Sequence, residues 1–240
     1  MKSLNILNQN AKALADLLQA HVGLKSLILN DTGLGDTAMV TLCEGISQST
    51  DLRILDLRNN YFEEIGLGAL IKSLKKIWTV TELHLEGCKV ELKEAELMAS
   101  YLVDTRCKIK TISLHEAELD ETKFKLVINS LKKVNYLERV SLAKNELTLA
   151  DCKSIVDLCK LKPLISLCFA HCEMEVDLRG FQALARGIAC PKLRYLNLAW
   201  NFLGEESMAS LCHMLSRNPA IEKLLLHHNK FGAKASVQLA

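Results

Sequence analysis

Eight times along the chain, an eleven-residue stretch places apolar residues at its first, fourth, sixth and eleventh positions. The copies begin at Leu24, Leu52, Val80, Ile109, Leu137, Leu164, Leu193 and Ile221, spaced by 28, 28, 29, 28, 27, 29 and 28 residues. The copy "LRYLNLAWNFL" shows the pattern plainly, with Leu193, Leu196, Leu198 and Leu203 as its apolar set. Alternation at the fourth and sixth positions predicts a short strand whose every second side chain turns inward. The ninth position reads Thr32, Asn60, Cys88, Ala117, Asn145, Cys172, Asn201 and Asn229. Here the chain leaves the strand, and a buried amide, hydroxyl or thiol can satisfy backbone groups in the turn. Ala117 can do neither, which predicts a loosely held corner in the fourth repeat.

Each stretch is followed by about seventeen residues with helical spacing. Met39, Leu42, Cys43 and Ile46 fall on one face, as do Leu67, Leu70, Ile71 and Leu74, and then Met208, Leu211, Cys212 and Leu215. Cys43, Ile71 and Cys212 occupy equivalent slots, so the thiols are read as packing residues.

The pattern L-x-x-L-x-L-x-x-N-x-L at this period resembles the leucine-rich repeat of the ribonuclease-inhibitor type, shared by cytosolic sensors and some bacterial effectors. The resemblance covers essentially the whole chain and is specific for fold rather than function. It implies an α/β right-handed solenoid with a parallel sheet of about eight short strands. Strands about 4.8 Å apart beside helices about 10 Å wide predict an arc, strands on the concave side and helices on the convex side. The expected organisation is a single domain over 1–240. A half repeat (Met1, Leu4, Ile6) and a helix near Asn10–Val22 would fill residues 1–23. The stretch "FGAKASVQLA" stops inside a helical pattern without a polar cap, which predicts a longer parent chain or an end covered by association.

Composition narrows the function classes. Apolar residues make up 49% and charged residues 24%, with a net charge of +2, so there is no global bias toward nucleic acid or anionic membrane. No apolar run approaches a membrane span, and the N-terminus does not read as a signal peptide. Nine cysteines, odd in number and set inside apolar patterns, suit buried free thiols in a reducing compartment. The sequon Asn30-Asp31-Thr32 is discounted because Thr32 turns inward. Localisation is expected to be cytoplasmic, or host-cytoplasmic for an effector.

The third, fifth and seventh positions of each repeat point to the strand face, and the eighth lies at its rim. The partner-binding candidates drawn from these positions are Asp56, Arg58, His84, Glu86, His115 and Glu116 in the earlier repeats. Arg139, Lys144, His171, Tyr195, Asn197, Trp200, Lys223, Leu225, His227 and His228 follow in the later ones. The framework asks for no apolar residue at position 200, and Trp200 sits near Tyr195 and Leu225, the composition of an interaction hot spot. Negative charge gathers in the first four repeats and positive charge in the last four, which would orient a partner. Trp78, beside Ile77 in a turn, reads as a packing residue.

Neighbouring His227 and His228 point to opposite sides of a strand, and Cys168 faces out while Cys172 faces in. Neither set converges as a metal site requires. No phosphate loop, nucleophile elbow or pocketed acid pair is present. The expectation is a non-catalytic module without cofactor or metal that binds a protein partner on the concave face, with no nucleic acid, membrane or small-molecule substrate. Two alternatives are a sensor or autoinhibitory repeat region of a longer regulatory protein, and a bacterial effector that binds a host protein.

Overall fold

A computed structural model of the protein describes residues 8–21, 23–174 and 178–232. The half repeat expected at Met1, Leu4 and Ile6, and the stretch from Ala233 onward, lie outside them. The chain forms two compact units. The first runs to Glu118 and includes Lys133–Tyr136, and the second holds Leu119–Lys132 and everything from Leu137.

The first unit opens with α1 (Asn8–Ala20) and then alternates β1 (Ser26–Ile28), α2 (Asp36–Ile46), β2 (Ile54–Asp56), α3 (Glu64–Ile77), β3 (Glu82–His84), α4 (Leu92–Leu102) and β4 (Thr111–Ser113). Its four strands are parallel and in register, so that Ser26, Ile54, Glu82 and Thr111 line up. The second unit alternates α5 (Glu121–Leu131), β5 (Arg139–Ser141), α6 (Leu149–Leu161), β6 (Ser166–Cys168), α7 (Leu178–Gly187), β7 (Tyr195–Asn197), α8 (Met208–Ser216) and β8 (Lys223–Leu225). Here Arg139, Ser166, Tyr195 and Lys223 line up. This is the α/β architecture of a leucine-rich-repeat solenoid, one strand and one helix per repeat.

The core follows from the pattern. The inward pairs Leu55/Leu57, Leu83/Leu85, Leu167/Phe169 and Leu196/Leu198 are at most 2% exposed. They meet helix faces such as Leu67, Leu70, Ile71 and Leu74, none above 1%. α1 and α2 approach closely because Gly45 faces the backbone of Ala15; a Cβ there would lie 2.5 Å from the Ala15 carbonyl oxygen. In the seventh repeat the helix starts one turn late, after a 3-10 turn at Glu205–Ser207. Met208 and Leu211 are buried as expected, and so is Met214, whose slot holds the buried Gly45 and Ser73 in α2 and α3, whereas Cys212 and Leu215, expected on the buried face, are half-buried.

Except in the fourth repeat, the ninth residue braces the turn after the strand. Asn60 Nδ2 donates to the carbonyls of Leu29, Leu57 and Arg58 at 2.9, 2.8 and 3.3 Å. Its Oδ1 accepts from Thr32 N, Thr32 Oγ1 and Leu34 N at 3.3, 3.1 and 3.0 Å. Asn201 and Asn229 repeat this in the second unit: Asn201 Oδ1 accepts from Cys172 N at 2.8 Å and Asn229 Oδ1 from Asn201 N at 3.2 Å. Cys172 Sγ makes a weaker version, 3.4 Å from Leu142 O. At the buried Ala117 the methyl offers nothing. The Leu85 carbonyl, which an asparagine there would reach, instead accepts from Cys88 N of its own repeat at 3.1 Å.

All nine cysteines are free; Cys168 and Cys212 are half-buried and the other seven are buried. Burial pushes the Cys43, Cys88 and Cys172 thiols up to about 12, and a thiol that stays protonated is a poor nucleophile. Titration of the native protein with a disulfide reagent is therefore expected to give two fast thiols, with the remaining seven reacting only on denaturation. Fast reaction of Cys43 or Cys88 would contradict the packing.

Candidate functional site

The eighth residue of every repeat occupies the left-handed region: φ is 56° at Asp31, 55° at Asn59, 72° at Gly87, 56° at Glu116, 52° at Lys144, 55° at His171, 60° at Trp200 and 56° at His228. Hydrogen bonding imposes this. The N–H of Trp200 donates to the His227 carbonyl of the next repeat at 3.1 Å, while that of Asn201 turns inward to Asn229. Reversing direction within one residue demands positive φ, which costs an L-residue roughly 1–2 kcal/mol. A tryptophan is an unfavourable choice at such a position, so the backbone does not account for Trp200.

In the second unit the rim side chains form a stack. The Trp200 indole lies nearly parallel to the His228 imidazole, centroids 3.6 Å apart at 16°, and 6.1 Å from the tilted ring of His171. His227 meets His228 edge-on at 5.4 Å. Trp200 keeps 43% of its surface exposed. Beside it, Phe202 is 38% exposed, also has positive φ (54°), and has Lys230 Nζ 5.2 Å above its ring. Phe202 was missed in the sequence because only strand and rim positions were considered; its signal was an aromatic at a tenth position that is mostly Gly, Lys or Glu elsewhere.

Below the rim, register sets Tyr195 beside Lys223, whose Nζ lies 5.6 Å from the ring centroid. Asn197 and Leu225 are neighbours in the same way, both half-buried. Asn197 Oδ1 accepts from Ala199 N at 3.0 Å, so this amide braces the turn that carries Trp200. Burial raises the Tyr195 phenol above its ordinary value, as does nearby Cys168, and a hydrogen bond with Asn197 offsets part of this. Arg139, Lys223, His227 and His228 are exposed, as are Lys144 and His171. Arg139 pairs with Glu138 at 3.3 Å.

The first unit's strand face is ionic. Arg58 forks onto Asp56, Nε to Oδ1 at 2.8 Å and Nη2 to Oδ2 at 2.7 Å. Asp56 was expected on the open face, yet the residue is 5% exposed. Two-residue periodicity puts both side chains on one side, and the longer arginine lies over the shorter aspartate. Glu86 accepts from Ser113 Oγ at 2.9 Å and lies 3.8 Å from His115 Nδ1; His115 is also 4.0 Å from Glu116, and His84 is 3.8 Å from Glu82.

Burial works to raise the Asp56 carboxyl, but the Arg58 hydrogen bonds outweigh it and hold the group below its ordinary value. A depressed folded-state pKa stabilises at pH values above the unfolded pKa and is lost as pH falls through the folded one. Arg58→Leu is expected to cost about 2 kcal/mol at neutral pH by stranding a buried carboxylate, a figure reduced for the partial exposure of Arg58. The deficit should shrink in acid as Asp56 takes a proton. Urea melts across that range check this, and a deficit independent of pH would contradict it.

Trp78, at the end of α3, stacks on the buried Tyr101 at 5.2 Å, with Arg106 Cζ 4.2 Å above its ring, so it packs. Among the described residues no group of three or more His, Cys, Asp or Glu could hold a metal, and no helix is long and apolar enough to cross a membrane.

With strand, turn and helix recurring at a 27–29-residue period and an asparagine locking the turn at Asn60, Asn145, Asn201 and Asn229, the protein is a leucine-rich-repeat protein of the ribonuclease-inhibitor type. A leucine-rich-repeat family model matches residues 189–212. The chain is 26% identical over 214 residues to pig ribonuclease inhibitor, covering 85% of this chain and 45% of the inhibitor. It is 30% identical over 220 residues to mouse NACHT, LRR and PYD domains-containing protein 5, covering 85% of this chain and 18% of that protein. The chain thus spans less than half the length of either. Among solved structures, one from the yeast Rad7 and Elc1 complex superposes with a TM-score of 0.62 at 16% identity, over 99% of this chain and 60% of that one, which bears on the fold alone.

Proposed function

We propose that the protein is a non-catalytic protein-binding module, anchored on the strand side of the second unit. The observation that carries this reading is Trp200: a large aromatic, 43% exposed, kept in a backbone conformation that penalises it. Every repeat shares this conformation, so the signal lies in the choice of an exposed aromatic there. The stack with His228 pre-orders the indole, which lowers the entropy lost on binding. Tyr195, Lys223, Leu225 and Phe202 would extend the anchor. Lys144, Arg139, His171 and His227, all in the second unit, would select a partner with acidic groups. The similarity to ribonuclease inhibitors, whose name describes action on another protein, supports the class of function.

The similarity to a NACHT, LRR and PYD protein over only 18% of its length favours a second reading, in which these repeats form the regulatory part of a longer chain. The binding face would then receive another segment of the same protein. Affinity capture with wild type, with a Tyr195→Ala/Trp200→Gly variant and with a helix-side control (Lys153→Ala) tests the proposal. Partners should be lost with the first variant alone; retention by it would overturn the anchor.

A further inference from the structure

The helix side of the first unit holds a pocket that the binding reading does not use. It is a cavity of about 320 Å3 lined by α2, α3 and α4, within the size range of small-molecule sites. Its walls are apolar: Val40, Ile65, Ala69 and Leu97, with Ile65 66% and Val40 39% exposed. Gly68 forms part of the wall, and a Cβ there would fill some of the space, 3.8 Å from Glu94 Oε1 and 3.9 Å from Leu97 Cδ1. Glu94 also lines the pocket. The residue is 1% exposed, and its Oε2 is buried with no hydrogen-bond partner. Lys93, beside it in sequence, is turned to Glu64 at 3.1 Å.

A buried carboxylate with an unused acceptor oxygen is unfavourable, and burial raises the affinity of Glu94 for a proton. What relieves it is a donor carrying positive charge, and the apolar walls call for an aliphatic stem behind that donor. We infer that this pocket takes a primary alkylammonium group, with the stem against Ile65, Ala69 and Leu97 and the ammonium on Glu94. Lys72 also lines the pocket. The group could come from a free aliphatic amine or from a lysine side chain of a protein segment, which share this chemistry.

Methyl NMR of the folded protein tests it, with n-butylammonium and backbone-blocked lysine as probes, and n-butanol and butyrate as controls. Either cation should shift the Ile65, Ala69 and Leu97 methyls with saturable, millimolar affinity. Glu94→Gln should weaken this at least tenfold, and Gly68→Ala should weaken it by narrowing the space without lowering the melting temperature. Tighter binding of blocked lysine assigns a protein source, and tighter binding of butylammonium assigns a free amine. Equal shifts with butanol or butyrate, no shift with either cation, or unchanged affinity in Glu94→Gln would overturn the assignment. None of these readouts depends on Trp200, so this inference and the strand-side proposal fail separately.

Discussion

Asn60→Ala is expected to lower the unfolding free energy by about 3–4 kcal/mol, a large fraction of the roughly 5–15 kcal/mol of a typical domain. The amide joins two repeats at once, donating to carbonyls on both sides and accepting from Thr32 and Leu34. Alanine would leave Leu57 O, Thr32 N and Leu34 N without this partner in a region where Asn60 is 4% exposed. Each such buried group costs about 1–3 kcal/mol, though the terms do not add fully. Thr32 Oγ1 still serves Leu29 O at 2.8 Å, which limits the damage. Cys88→Ala is the internal comparison. Its thiol contacts are 3.7 and 4.0 Å long, so about 1 kcal/mol is expected. Urea denaturation ranks the two, and hydrogen exchange at the Thr32 and Leu34 amides locates the loss. Equal costs would mean that the asparagine ladder does not hold the turns.

Trp200→Gly should separate stability from binding. Glycine relieves roughly 1–2 kcal/mol of left-handed strain, and losing the contact with His228 gives back about 0.5–1.5 kcal/mol. The two nearly cancel, so stability should stay within about 1 kcal/mol of wild type. Partner affinity should fall by more than about 2 kcal/mol, some thirtyfold or more, as for a truncated hot-spot aromatic. Tyr195→Ala should show a similar loss, without the compensating gain in backbone freedom. Titration calorimetry with the captured partner, beside thermal melts of the free variants, gives both quantities. If Trp200→Gly both binds normally and gains stability, the indole is only a tolerated cost of the turn.

The repeat period, the strand register and the buried helix faces were readable from residue type alone, because leucine or an equivalent fills every framework slot from Leu24 to Ile221. The left-handed rim was partly written in the chain. Asp31, Asn59, Gly87, His171 and His228 are residue types that tolerate positive φ, but Glu116, Lys144 and Trp200 hide the rule. Burial of Asp56 could not be read, because it depends on how Arg58 folds back rather than on which side of the strand it occupies. The 3-10 start of α8 escaped for a similar reason: a one-turn change in winding leaves the apolar spacing of Met208, Leu211 and Leu215 looking regular. The Glu94 pocket depends on three helices meeting around a glycine, a coincidence that no single repeat displays.

The most direct test of the binding proposal is hydrogen–deuterium exchange of the protein alone and in complex with its captured partner. Protection should appear at residues 168–172, 195–202 and 225–230, while the exposed sides of α6, α7 and α8 exchange as before. Protection confined to those helices, with the turn carrying Trp200 unchanged, would contradict it.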